Sequence, residues 1–379
     1  MRIAQIAPLV ESVPPRHYGG TERVVFWLTE ELVRQGHQVT LFASGDSMTS
    51  ANLEPIVPRN LRSAGKGDHA PDTLLMLKRA FAMADRFDLI HFHLDTQHFP
   101  LFYHLRHKCV TTFHGRLDLP VFSDVFNEFP GMPLISISDN QRLPASPTAN
   151  WLATIHHGLP GNLIGLGEGL GNYLLFLGRI APEKRPDRAI EIAKRAGVKL
   201  KIAAKVDAAD RKYFSQSIAP MLDDPLIDFV GEVDDRGKAA LLKDAMALLF
   251  PIDWPEPFGL VMIEAMAAGT PVIAWPLGSV PEIIQDGHTG AVVDTMDDAV
   301  AAVNRVAGLN RLSIRRVFDA RFSASNMAQN YDSAYRRLIS ASVPIHRRAP
   351  AKHFSSNEPN IASLRAKDTT SAAVASPAK

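Results

Sequence analysis

Short apolar runs alternate with helical patterns along most of this chain, and the whole pattern occurs twice. Arg2 to Pro8 reads as a strand. Gly20 to Gln35 reads as a helix, with Val24, Val25, Leu28 and Leu32 at near-helical spacing and Gly36 as its stop. Gln38 to Ala43, Phe87 to Phe92, Cys109 to Phe113 and Leu134 to Ser138 read as further strands, and Thr73 to Arg86 as a helix. Strands separated by helices pair in parallel, and a parallel sheet needs helices on both faces. A Gly-dense stretch, Gly158 to Asn172, interrupts the alternation and suits a flexible interdomain linker. Strands then resume at Tyr173 to Leu177, Leu200 to Ala204, Ile227 to Val230, Ala247 to Pro251, Val272 to Ala274 and Gly290 to Val293. Helices are expected at Pro186 to Ala196, Lys238 to Asp244 and Gly259 to Ala268. The expected class is α/β.

Length supports two domains, because 379 residues exceed one ordinary core. Lys+Arg 41 against Asp+Glu 40 is balanced and argues against a general nucleic-acid surface. The lone cysteine, Cys109, excludes an internal disulfide, fits a reducing compartment, and reads as a buried small hydrophobe. Met1 to Pro8 lacks the apolar core of a signal peptide. No run of about 18 apolar residues suggests a membrane span. A cytoplasmic location is expected, with peripheral membrane contact left open. From about Val343 the chain is rich in Ser, Ala, Pro and charge, and a disordered tail is expected.

Several segments could carry chemistry. Gly19-Gly20 follows the first strand and precedes a helix, where glycines let the backbone approach a ligand; a plain turn is the alternative. The connection lacks the Gly-x-Gly-x-x-Gly of a dinucleotide fold, which lowers a dehydrogenase reading. His114 directly follows a strand, at the sheet edge where open α/β folds hold ligands. His91 and His93 share one strand face, but no companion carboxylates give a metal motif, and no metal is expected. Arg179 follows a strand and Lys184 precedes a helix, so the two cations could hold a diphosphate or be solvated. Gly231-Glu232 could line a base pocket or form an ordinary turn. Glu256 and Glu264 lie eight positions apart across the apolar start of a helix. A helix end favours an anion, and acids beside it must grip something else, such as sugar or ribose hydroxyls. That combination points to a phosphorylated sugar.

In order along residues 1 to about 340, Gly19-Gly20, Phe113-His114-Gly115, Ile155 to Pro160, Gly178-Arg179 with Glu183-Lys184, Gly231-Glu232 and Glu256 through Glu264 resemble glycosyltransferase family 4. These are the retaining, group 1 enzymes with the two-domain GT-B architecture. His157 departs from the Asn more usual before that Gly. The resemblance implies two Rossmann-like domains facing a cleft. It divides the chain into an acceptor-binding domain over 1–160, a linker over 161–172, a nucleotide-sugar domain over 173–322, a helix crossing back over 323–340, and the tail 341–379. It implies a retaining, hexosyltransferase-like reaction between a nucleoside-diphosphate sugar and a sugar, lipid or small-molecule acceptor, without a cofactor or metal. Arg179 and Lys184 would hold the diphosphate and Glu264 the ribose. Glu256 and His114 would lie by the donor sugar. Phe258, Gly259 and Leu260 would touch sugar or phosphate, and Gly20 would approach the diphosphate from the first domain. Asp95–Arg106 and Leu117–Pro130 are where acceptor choice is expected. A sugar-nucleotide epimerase and a non-catalytic nucleotide-sugar-binding protein are the competing readings. Oligomeric state is not legible.

Overall fold

A computed structural model describes residues 1–16 and 19–342, which form one compact unit. Tyr18 and the expected tail from 343 lie outside the described residues.

The first sheet holds β1 (Arg2–Ile6), β2 (Gln38–Ala43), β3 (Asn52–Pro55), β4 (Leu89–Phe92), β5 (Cys109–Thr112), β6 (Pro133–Ser136) and β7 (Asn150–Thr154). Its order is β3-β2-β1-β4-β5-β6-β7 and every pairing is parallel. The second sheet holds β8 (Tyr173–Arg179), β9 (Lys199–Lys205), β10 (Ile227–Phe229), β11 (Ala247–Phe250), β12 (Val272–Ala274) and β13 (Gly290–Val292), in the order β10-β9-β8-β11-β12-β13, again all parallel. β4, β5, β6, β11 and β12 are buried along their whole length, as expected of strands covered on both faces. Strand order reverses between β1 and β4 and between β8 and β11. Crevices outside the carboxyl ends of such strands are where open α/β sheets hold ligands.

The main helices are α1 (Gly20–Arg34), α2 (Ala70–Ala82), α3 (Pro120–Glu128), α4 (Pro186–Ala196), α5 (Asp235–Asp244), α6 (Leu260–Ala267), α7 (Met296–Ala307), α8 (Arg311–Arg321) and α9 (Ala324–Ser342). Local chemistry sets their ends. Asp234 caps α5 by accepting from the Gly237 N–H at 2.8 Å. Pro186 opens α4, and Gly197 closes it in the left-handed conformation at φ +66°. α6 is buried from Met262 to Ala267, so it runs through the core rather than over it.

β3, β7 and α3 go beyond the sequence expectations, as do α7 and α8. β3 reads Asn-Leu-Glu-Pro and lies at a sheet edge, where polar residues and proline are tolerated. Burial of Phe122 and Phe126, one turn apart, gives α3 its inner face.

The Gly-dense stretch is not the flexible linker its composition suggests. N–H groups of Gly167, Gly169 and Gly171 donate to carbonyls of Ala268, Lys243 and Asp244 at 2.9–3.1 Å. The Arg311 guanidinium donates to the Gly167 carbonyl, and that of Arg315 to the Ile164 and Gly161 carbonyls. A Cβ on Gly167 would lie 2.1 Å from the Lys243 carbonyl oxygen. Glycine is required here for close backbone approach, and the stretch is bolted to the second sheet's helices. Gly167→Ala is expected to destabilise the protein by about 1–3 kcal/mol, read as a fall of several degrees in Tm. Gly165→Ala, whose Cβ would meet nothing closer than 4.0 Å, serves as the control. Equal Tm values for the two variants would refute this account.

The chain crosses between the sheets twice, side by side. Leu159 N–H donates to the Phe322 carbonyl at 2.9 Å, and Ala324 N–H to the Leu159 carbonyl at 2.7 Å. Beyond this crossing α9 packs on α1. Its Tyr335 hydroxyl bonds His91 Nδ1 at 2.7 Å, and its Tyr331 hydroxyl bonds Thr112 Oγ1 at 3.1 Å.

Candidate active site

Two cavities open at the carboxyl ends of the sheets and share a wall of Gly19, Gly20, Gly259 and Leu260. The larger, of about 560 Å³, is lined by six basic side chains (Arg16, Arg23, Arg179, Lys184, Lys205, Lys238) against four acidic ones (Glu232, Asp234, Asp235, Glu264). Its charge favours an anion. The start of α6 forms one wall, and the first N–H groups of a helix favour negative charge there as well. Gly259 caps that helix at φ +77°. A Cβ on it would come within 3.0 Å of Met262 and Phe250, and the positive φ favours glycine there. Opposite, a Cβ on Gly20 would meet only Leu260, at 3.7 Å, and its backbone stays open to the cleft.

Several of these charged groups, and Glu256 beside them, are paired with protein partners. Arg179 lies among three carboxylates: Glu183 at 2.9 Å, Asp210 at 3.4 Å and Asp207 at 3.6 Å. Lys184 donates a very short hydrogen bond to Glu256, whose same oxygen also accepts from the Trp254 indole N–H at 2.9 Å. Glu264 is buried on α6 and accepts from Lys238 at 2.5 Å. Arg23 of α1 pairs with Asp235 of α5 at 2.5 Å and bridges the cleft.

The smaller cavity, of about 310 Å³, is lined by Glu11, Glu22, Arg62, Thr21, His114 and His157 together with apolar Val10, Ile137 and Phe258. Arg62 pairs with Glu11 at 2.5 Å. Burial pushes the Glu22 carboxyl above its usual range, against the opposing pull of a backbone hydrogen bond.

His114 is held by a chain of hydrogen bonds. Its Nε2 lies 2.9 Å from His93 Nδ1, and His93 Nε2 lies 2.7 Å from Gln5 Oε1. Burial pushes the His114 ring down to about 3, so it is neutral throughout the physiological range. It stacks on His157 with centroids 5.2 Å apart. His91 bonds Tyr335 and Thr112 through its two nitrogens. His91 and His93 therefore spend their ring nitrogens on protein partners. Among the described residues no group of three or more His, Cys, Asp or Glu is arranged around a metal. Cys109 is buried, and burial pushes its thiol up to about 12, consistent with a packing role.

Of the residues singled out from sequence, Gly19, Gly20, Arg179, Lys184, Glu232, Gly259, Leu260 and Glu264 meet at the larger cavity. His114 and Phe258 line the smaller one. Glu256 and Gly231 line neither. Glu256 sits behind Lys184, and Gly231 turns at φ +81° while its carbonyl accepts from Ala204 N–H. Neither cavity is lined by 95–106 or 117–130, the stretches expected to choose the acceptor. Glu11, Glu22 and Arg62, which line the smaller cavity, are not singled out from the sequence. Lys238 is a further addition. It lies in the first turn of α5, where a lysine ordinarily reads as solvated.

Comparison with known proteins gives these cavities a setting. The family described as "Glycosyltransferase Family 4" matches residues 18–159, and "Glycosyl transferases group 1" matches residues 168–316. The chain is 28% identical to the phosphatidyl-myo-inositol mannosyltransferase of Mycobacterium leprae over 362 residues, 88% of this chain and 93% of that one. Sucrose-phosphate synthase from Thermosynechococcus elongatus superposes with a TM-score of 0.74 at 19% identity, covering 90% of this chain and 100% of the other. AviGT4, a glycosyltransferase of avilamycin A biosynthesis, superposes with a TM-score of 0.65 at 24% identity, covering 90% and 98%. Two parallel-sheet α/β domains, matched in order by both halves of one family, make this chain a member of glycosyltransferase family 4 with the GT-B architecture.

Proposed function

We propose that the protein is a retaining glycosyltransferase that moves a hexose from a nucleoside diphosphate to a hydroxyl of the acceptor. The observation that carries this reading is the pair of adjoining cavities, one net basic and one lined by carboxylates and neutral histidines. A nucleoside diphosphate fits the first. Lys184, Arg179 and the amides opening α6 offset its charge, Glu264 accepts from ribose hydroxyls, and Glu232 borders the base. The hexose lies at the shared glycine wall, with His114 beside it. In the second cavity Glu11, Glu22 and Arg62 suit a ring bearing several hydroxyls. Relatives that are phosphatidyl-myo-inositol mannosyltransferases make mannose the first donor sugar to test and a cyclic polyol the first acceptor.

In the transfer, the bond from the anomeric carbon to the phosphate oxygen breaks and the acceptor oxygen bonds to the same face. The acceptor proton passes to the departing phosphate. Glu256 lies one side chain away from the phosphates and stabilises positive charge growing at the anomeric carbon. The basic wall takes the part a divalent metal plays elsewhere, so activity is expected to survive EDTA. No helix among the described residues is long and apolar enough to cross a membrane. A lipid acceptor would be met at a membrane surface from the cytoplasmic side.

The test is to incubate the protein with UDP-, GDP- and ADP-hexoses, with and without inositol and simple sugars. Release of nucleoside diphosphate and the product's anomeric configuration by NMR are the readouts. Release from no donor would reject the reading. An inverted product would reject the same-face mechanism. Loss of activity in EDTA with recovery in magnesium would reject metal independence.

A further inference from the structure

Two residues assigned above to catalysis occupy each other. Lys184 lines the larger cavity, yet its ammonium donates to Glu256 rather than standing free for a phosphate. A donor diphosphate would compete with Glu256 for this ammonium and draw it towards the cavity. Once it does, the carboxylate needs another group to hold it in place.

Trp254 meets both halves of that exchange. It lies on the connection between β11 and α6, half-buried, two residues before Glu256. Its indole N–H donates to Glu256 Oε2 at 2.9 Å, the oxygen that Lys184 also uses. Its ring face lies 5.0 Å from the Lys184 ammonium, within reach of a cation–π attraction. The Glu256 backbone is fixed independently: its N–H donates to the Trp254 carbonyl, its carbonyl accepts from Ser279, and Gly278 presses against it. Only the side chain is left to be steered.

On the donor reading given above, we propose that Trp254 is the positioning residue of this site. Its N–H keeps the Glu256 carboxylate aimed while its ring lets the Lys184 ammonium swing between Glu256 and the donor diphosphate. The hydrogen bond persists through the exchange and the cation–π contact does not.

The full-length protein is titrated with UDP, GDP and ADP, following heat by calorimetry and tryptophan emission by fluorescence. The tightest of the three is expected to change wild-type emission saturably. Trp254→Phe keeps a ring face but loses the N–H. It should lose that emission change, hold the nucleoside diphosphate within about twofold, and lower kcat for nucleoside diphosphate release by roughly tenfold or more, the worth of one hydrogen bond to a charged group. Trp254→His, which keeps a ring N–H, should recover part of that kcat.

Binding without any wild-type emission change overturns the proposal and leaves the donor reading intact. So does a wild-type kcat in Trp254→Phe, or a Trp254→His as slow as Trp254→Phe. If none of the three nucleoside diphosphates gives heat, the donor reading fails and takes this proposal with it.

Discussion

Between pH 7 and about pH 5 the protein is expected to lose most of its stability. His91, His93, His98 and His157 are each at most 4% exposed, and burial holds every one well below the usual histidine range. The unfolded chain exposes all four, and they bind protons near pH 6.5. Below that pH the unfolded state holds more protons than the folded one, so stability rises with pH and falls with acid. Each such histidine contributes about 1.4 kcal/mol per pH unit below 6.5. All four act in the same direction, so their losses reinforce one another as pH falls below 6.5, against a whole-domain stability of only about 5–15 kcal/mol. Melting curves from pH 8 to pH 4.5 would test this directly. A Tm flat across that range would refute it. His98→Asn should make the pH dependence shallower, because that ring stacks on Phe92 and bonds only Thr111.

The second large effect concerns Lys184. On the donor reading proposed above, replacing it with Ala removes a cation from the diphosphate and strips Glu256 of its ionic partner. A charge-assisted hydrogen bond contributes about 1.5–3 kcal/mol, so kcat/KM should fall by roughly one to two orders of magnitude. Glu256→Gln should lower kcat, because its charge matters most as the anomeric carbon becomes positive. Because the two side chains touch, their losses should not add. The double variant is expected to be little worse than the worse single one. Glu264→Gln should differ in kind and mainly raise KM for the donor, since ribose contacts are the same before and during transfer. Near-normal kinetics in Lys184→Ala would remove the diphosphate from this cavity.

Much of this architecture was legible in the residues. Continuous apolar runs such as Ala247 to Phe250 and Val272 to Ala274 can only be buried strands once helices flank them, and α4 matches its expected bounds because Pro186 and Gly197 punctuate it. Glu256 before α6 and Glu264 on it, with Arg179 at the end of β8 and Lys184 just beyond, were visible because strand–helix connections carry ligands in this topology. The second cavity was not visible. Glu11 and Arg62 lie on separate connections and Glu22 in the first turn of α1, with no shared periodicity, and only the sheet order brings them together. His91 shows the same limit. The residues around it offered no metal motif and no other role, and its partner Tyr335 lies 244 residues downstream, beyond any local pattern.

That long reach bears on how the protein is made. The first sheet's strands, through Thr154, leave the ribosome early. Tyr331 and Tyr335, fully buried, close over Thr112 and His91 only after about 180 further residues have been synthesised. At about 5–20 residues per second that interval is roughly ten to forty seconds. The domain made first is thus the last to be finished, and throughout its wait it presents a raw apolar face, and a His91 short of one partner, to chaperones and proteases. Messages cut short before this helix would yield a sheet that cannot be completed, however intact its own strands.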